Sequence, residues 1–73
     1  MQRRMKLSEI RRARGFSQEY MATKLGYVRS TYAKMEENPQ NISMYDAHKI
    51  SKILDVSIDD IIFLDASLQN VEL

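Results

Sequence analysis

Apolar residues return every three or four positions along most of this chain, which places them on single faces of helices. Leu7, Ile10 and Ala13, with basic residues between them, predict an amphipathic helix from about Lys6 to Arg14, ended by Gly15 as its C-terminal cap. Ser17 then offers an N-cap, and Met21, Ala22 and Leu25 form the inner face of a second short helix from Gln18 to Leu25 that Gly26 stops. A third helix from about Val28 to Glu37 has Tyr32, Met35 and Glu36 on one side, with Arg29, Ser30, Ala33 and Lys34 toward the other. Asn38, Pro39, Gln40 and Asn41 read as a polar loop. Ser43 with Asp46 resembles a capping box, and Met44, Ala47, Ile50, Ile53 and Leu54 follow at helical spacing. Ser57 with Asp60 repeats the cap signature, with Val56 and Ile61 as a staple pair, predicting a fifth helix through Ile61, Ile62 and Leu64. No run of four or more residues alternates cleanly, so the pattern predicts an all-α domain of five short helices and no strands.

Composition narrows the class. With 73 residues, no cysteine and one histidine, the chain forms one small domain without disulfides, and a zinc site built from it alone is not expected. We place that domain at residues 1–64 and a C-terminal tail at 65–73. In the tail region Leu64, Leu68 and Val71 fall at i, i+4 and i+7, which fits either a dimer contact continuing the fifth helix or a frayed terminus. The longest apolar run, Ile61 to Leu64, is far shorter than the ~20 residues of a membrane span. Arg3 and Arg4 precede no apolar stretch of the kind a secretory signal carries, so a cytoplasmic address and no membrane partner are expected.

The formal charge of +1 hides a division. Residues 1–36 hold nine Lys or Arg against three acids, and residues 37–73 hold two Lys against seven acids. A basic end of this kind concentrates field on a polyanion while the acidic end faces away.

Chemistry of other kinds finds little support, and neither an enzyme nor a cofactor is expected. His48 has no nucleophile motif beside it, and Asp59 and Asp60 fall in a first helical turn, where acids favour the helix dipole. The two glycines are too far apart for a phosphate-binding loop. Met21, Met35 and Met44 read as core gap-fillers, and Tyr27 and Tyr32 as core-facing rather than base-stacking aromatics. For Arg12, Arg14 and Lys24, solvated charge and phosphate contact are both open readings.

The informative segment runs from Gln18 to Glu37, where two short helices meet at Gly26 with the spacing of a helix-turn-helix. Ala22 is small where the third helix crosses, Gly26 permits the positive φ of a sharp turn, and Tyr27, Tyr32 and Met35 seat the third helix on the core. The segments LSEIRRARGFSQEYMATKLGYVRSTYAKMEE and ISMYDAHKISKILDVSIDDII together resemble the phage repressor and Cro type of helix-turn-helix domain, the XRE-like class, over about residues 7–62. The likeness rests on L-x-x-I-R, R-G-F-S-Q, the A-x-x-x-G turn, R-S-T before an apolar residue, and L-D-V-S-x-D-D.

This resemblance implies five helices, a third helix read into the major groove of double-stranded DNA, and a two-fold homodimer. It implies a phosphate contact for Gln18, base-facing positions for Arg29, Ser30 and Lys34, a DNA contact for Thr31, and a thymine-methyl contact for Val28. It likewise places Asn38, Gln40, Asn41 and Ser43 on phosphates, and makes Arg11 and Glu36 a structural ion pair joining the first and third helices.

Two positions depart from the family pattern. Val28 stands where Ser, Thr or Asn usually caps the reading helix, a loss of about 1 kcal/mol unless a neighbour substitutes. Glu36, Glu37 and Asn38, followed by Pro39, replace the family's E-N-G. The function expected is a sequence-specific transcriptional regulator, a repressor on an inverted-repeat operator. The alternatives are an antitoxin or restriction-modification controller, with a toxin or antirepressor as protein partner, and an interaction module without DNA binding.

Overall fold

A computed structural model describes residues 4–63. The order is β1 (Met5–Lys6), α1 (Leu7–Ala13), α2 (Gln18–Leu25), α3 (Arg29–Glu37), a 3-10 turn (Pro39–Asn41), α4 (Met44–Leu54), a second 3-10 turn (Ile58–Asp60) and β2 (Ile61–Ile62). The caps explain most boundaries. Ser17 Oγ accepts from the Tyr20 N–H at 2.9 Å and Ser43 Oγ from the Asp46 N–H at 3.1 Å, each satisfying a free donor of a helix start. Gly26 closes α2 at φ 85°, and Asp55 closes α4 in the same left-handed region at φ 56°, where glycine is the usual occupant. The Arg14 guanidinium donates to the Asp55 carbonyl at 3.0 Å, tying the end of α1 to the end of α4.

One core takes Leu7 and Ile10 from α1, Met21, Ala22 and Leu25 from α2, Tyr32 from α3, Ile50 and Leu54 from α4, and Ile61 from β2. Three expected core positions lie outside it. Ala13 is exposed, Met44 at the first turn of α4 is 68% exposed, and Tyr27 is 39% exposed. The inward stripes of α1 and α4 are therefore narrower at their ends than helical spacing alone predicts.

The fifth helix is not formed. Ser57 Oγ accepts from the Asp59 N–H at 3.2 Å and opens a single 3-10 turn, after which the chain extends. Ile61 and Ile62 then pair in parallel with β1, Met5 opposite Ile61 and Lys6 opposite Ile62. Both isoleucines are β-branched and favour extended backbone, and Ile61 becomes fully buried in the process. The expectation of no strands fails for a simple reason: two residues are too few to show a period. The crossover between these parallel strands is the whole helical body, so the pairing closes the domain by joining its first described residues to its last. Leu64, Leu68 and Val71 lie outside the described residues. No helix among the described residues is long and apolar enough to cross a membrane.

Candidate nucleic-acid interface

The turn between α2 and α3 is built from backbone first. The Gly26 N–H donates to Ala22 and Thr23 carbonyls, and the Tyr27 N–H donates to the Ala22 carbonyl at 2.9 Å, which completes the end of α2. The chain then turns at once into α3, whose first bonds run from the Thr31 and Tyr32 N–H groups to the Val28 carbonyl at 3.1 and 3.2 Å. Val28 occupies the N-cap in extended conformation and supplies no side-chain acceptor. Ala22, 1% exposed, has the small side chain that the close packing of α2 and α3 requires.

Beneath α3 a polar network fixes its orientation. Arg11 Nε donates to Glu36 Oε2 at 2.5 Å and Nη2 to Oε1 at 3.3 Å, while Nη1 donates to the Phe16 carbonyl at 2.9 Å. The Gln18 amide also donates to Glu36 Oε1, at 3.1 Å. Both charged side chains are nearly enclosed, at 8% and 6% exposure. Burial alone pushes the Glu36 carboxyl up, but the bonds from Arg11 and Gln18, the nearby Tyr32 hydroxyl and the Arg11 charge pull it below its ordinary value. The Tyr32 hydroxyl lies buried beside the same carboxylate without a hydrogen bond of good geometry. Its ionisation is strongly raised, by burial first and then by Glu36.

A second polar link joins the turn to α4. The Tyr27 hydroxyl donates to Asp46 Oδ2 at 2.6 Å, and this bond with the carboxylate is the main cause of a raised Tyr27 pKa. Sequence reasoning missed this pair. Tyr27 falls on a helical period with core residues, and Asp46 reads as a helix cap, so neither carries a signal of the bond between elements distant in sequence.

The outward side of α3 is free. Val28 is 67% exposed, and Arg29, Ser30, Thr31 and Lys34 are all exposed. Among the described residues, no hydrogen bond or ion pair holds the side chains of these five. Thr31 and Lys34 share a crease of about 330 Å³ with Asn38 and Asn41, floored by Met35 and Ile42, so helix and loop donors open onto one hollow. Gln40 and Ser43 are exposed on the same connection, where Ser43 is already committed to its cap. Gln18 is half-buried, with its amide nitrogen on Glu36. Two of the other cations are engaged within the fold: Arg14 on Asp55, and Lys24 with Nζ 5.5 Å from the centre of the Tyr20 ring. The arrangement therefore presents a helix start, unpaired cationic and amide donors, and a rigid polar underside. It has the chemistry of a surface that meets base edges and phosphate oxygens.

Comparison with known proteins agrees with this geometry. A family model described as helix-turn-helix matches residues 7–61. A protein of Archaeoglobus fulgidus, described as an uncharacterized HTH-type transcriptional regulator, is 32% identical over 62 residues, which cover 85% of this chain and 89% of that protein. No solved structure matches.

Proposed function

The chain belongs to the helix-turn-helix family of the phage repressor and Cro type, and from that premise we propose that it is a sequence-specific repressor that binds an inverted-repeat operator as a homodimer. The observation that carries the reading is the contrast across α3. Its inner residues Tyr32 and Glu36 are locked, while Val28, Arg29, Ser30, Thr31 and Lys34 stand exposed and untied.

In this reading phosphate contacts from Gln18, Asn38, Gln40, Asn41 and the backbone at Ser43 supply affinity and register. Arg29 offers a planar fork to guanine O6 and N7, Lys34 a point charge, Ser30 and Thr31 hydroxyls, and Val28 a methyl surface for thymine. Repression follows from occupying a promoter.

One reading helix covers few base pairs, which favours two copies. A groove of about 410 Å³ lies between the loop after α3, the start of α4 and β2, with Ile42, Met44, Ile58 and Phe63 in its lining. The exposed Met44 on its rim supports this side as the contact with the second copy.

Selection of bound sites from random duplexes tests the function directly. A recovered inverted repeat with half-sites about 10 to 11 base pairs apart is the expected result. Equal retention of all sequences, or no retention at low salt, refutes sequence-specific binding.

A further inference from the structure

The start of α3 lacks the side-chain cap that steadies α2 and α4, yet it must hold its place for any reading of bases. Two observations converge on the residue just before it. The Tyr27 backbone N–H is bound to the end of α2 at the Ala22 carbonyl, and the Tyr27 hydroxyl is bound to the first turn of α4 at Asp46. Tyr27 is thus held at both ends, and through it three helices meet at the point where α3 begins. Asp46 could otherwise serve its own helix start, since it stands three residues after the Ser43 cap where a reciprocal acceptor is common. Its carboxylate instead receives the Tyr27 hydroxyl at 2.6 Å.

We propose that the Tyr27–Asp46 bond stands in for the missing cap of α3 and fixes the start of the reading helix relative to α4, which makes Tyr27 a positioning residue for base recognition. The inference rests on the DNA-binding function proposed above. The polar crease is shared by Thr31 and Lys34 of α3 and by Asn38 and Asn41 of the loop that leads into α4, so a fixed offset between the starts of α3 and α4 sets how base contacts register with phosphate contacts. Misplacement by a fraction of an ångström weakens directional bonds to base edges more than the diffuse attraction of cations to phosphate.

The test compares wild type, Tyr27→Phe, Asp46→Asn and Asp46→Ala. Binding is measured to the selected site, its single-base variants and an unrelated duplex of equal length. Amide hydrogen exchange is measured in the free proteins. Tyr27→Phe is expected to lower affinity for the selected site about three- to tenfold, with binding to the unrelated duplex changed less than about twofold. The Thr31 and Tyr32 amides, which bond to Val28, are expected to exchange faster, while Ile50 in the core of α4 keeps its protection. Asp46→Asn retains an acceptor and is expected to preserve discrimination among sites, whereas Asp46→Ala matches Tyr27→Phe. Equal loss on every duplex with unchanged exchange would place the Tyr27 hydroxyl on a phosphate and overturn the proposal, as would unchanged discrimination in Tyr27→Phe. Failure of the wild type to prefer any duplex would instead refute the DNA-binding reading, and the base-recognition role of Tyr27 with it.

Discussion

Glu36→Ala removes the acceptor on which the Arg11 guanidinium and the Gln18 amide converge beneath α3. Arg11 keeps its bond to the Phe16 carbonyl, but Nε and Nη2 lose their carboxylate in a side chain only 8% exposed, and the Gln18 amide loses its partner. Stranding one member of a buried pair costs about 3 to 5 kcal/mol, and the bond left to Phe16 brings the expected loss here to roughly 2 to 4 kcal/mol. A domain of 73 residues is expected to have roughly 4 to 11 kcal/mol in all, so the variant sits near the edge of folding. Urea unfolding at neutral pH, followed by circular dichroism, measures the difference if the slope is unchanged between the two proteins.

Two further variants separate charge from packing. Glu36→Gln keeps an acceptor and is expected to lose less than Glu36→Ala. The double variant Arg11→Met with Glu36→Leu removes both charges together and is expected to recover most of the loss, because neither buried ion is then left unpaired. A Glu36→Ala protein within about 0.5 kcal/mol of wild type would refute the argument, since that is the range of surface substitutions.

Acid should unfold the protein partly through the same residue. The folded Glu36 carboxyl titrates below its ordinary value of 4.5, so its contribution is complete above that value and is lost as pH falls through the depressed one; a Glu36→Gln protein should show a flatter stability profile in that window. Arg29→Ala should cost about 1 to 3 kcal/mol on the preferred site and flatten preference at one base pair, with little effect on unrelated duplex; equal loss everywhere with a shallower salt dependence would place Arg29 on phosphate instead. Gln18→Ala should weaken all duplexes nearly alike and leave the salt slope unchanged, because the residue is neutral; a lost preference at one base pair would contradict that. Sedimentation of the DNA complex should show two chains per operator, and a single chain protecting one half-site would refute the dimer.

The sequence was most readable where a local rule had no competitor. Gly26 and the Ser17 cap mark both ends of α2 because a positive φ and an N-cap acceptor are needs of single residues. Tyr32 and Glu36 lie four apart, and that spacing alone puts both on the underside of α3. Reading failed where partners lie far apart along the chain. Ile61 and Ile62 are apolar in either a helix or a strand, and only pairing with Met5 and Lys6, over fifty residues away, selects the strand. Tyr27 is similar: its ring suggests core, but a hydroxyl partner on α4 holds it at the surface. Periodicity reports which side of an element is apolar, not which polar groups will meet.

Gln18 shows how the fold and the interface come to share one residue. A glutamine amide carries two hydrogens on one nitrogen, and Glu36 accepts one of them at 3.1 Å. That bond orients the amide plane before any ligand arrives. In the proposed complex the second hydrogen is then free for a phosphate oxygen, and a donor already held in place pays less ordering entropy when it binds. Glu36 is in turn held by Arg11, whose other nitrogen holds the Phe16 carbonyl just ahead of α2. A single buried carboxylate therefore joins α1, the start of α2 and α3 into one rigid piece. Its negative charge does not repel the DNA backbone because the Arg11 guanidinium beside it neutralises it within the protein. The basic excess of the first half of the chain is left to the surface cations, while the buried, paired Glu36 contributes no net charge to the proposed DNA-binding face.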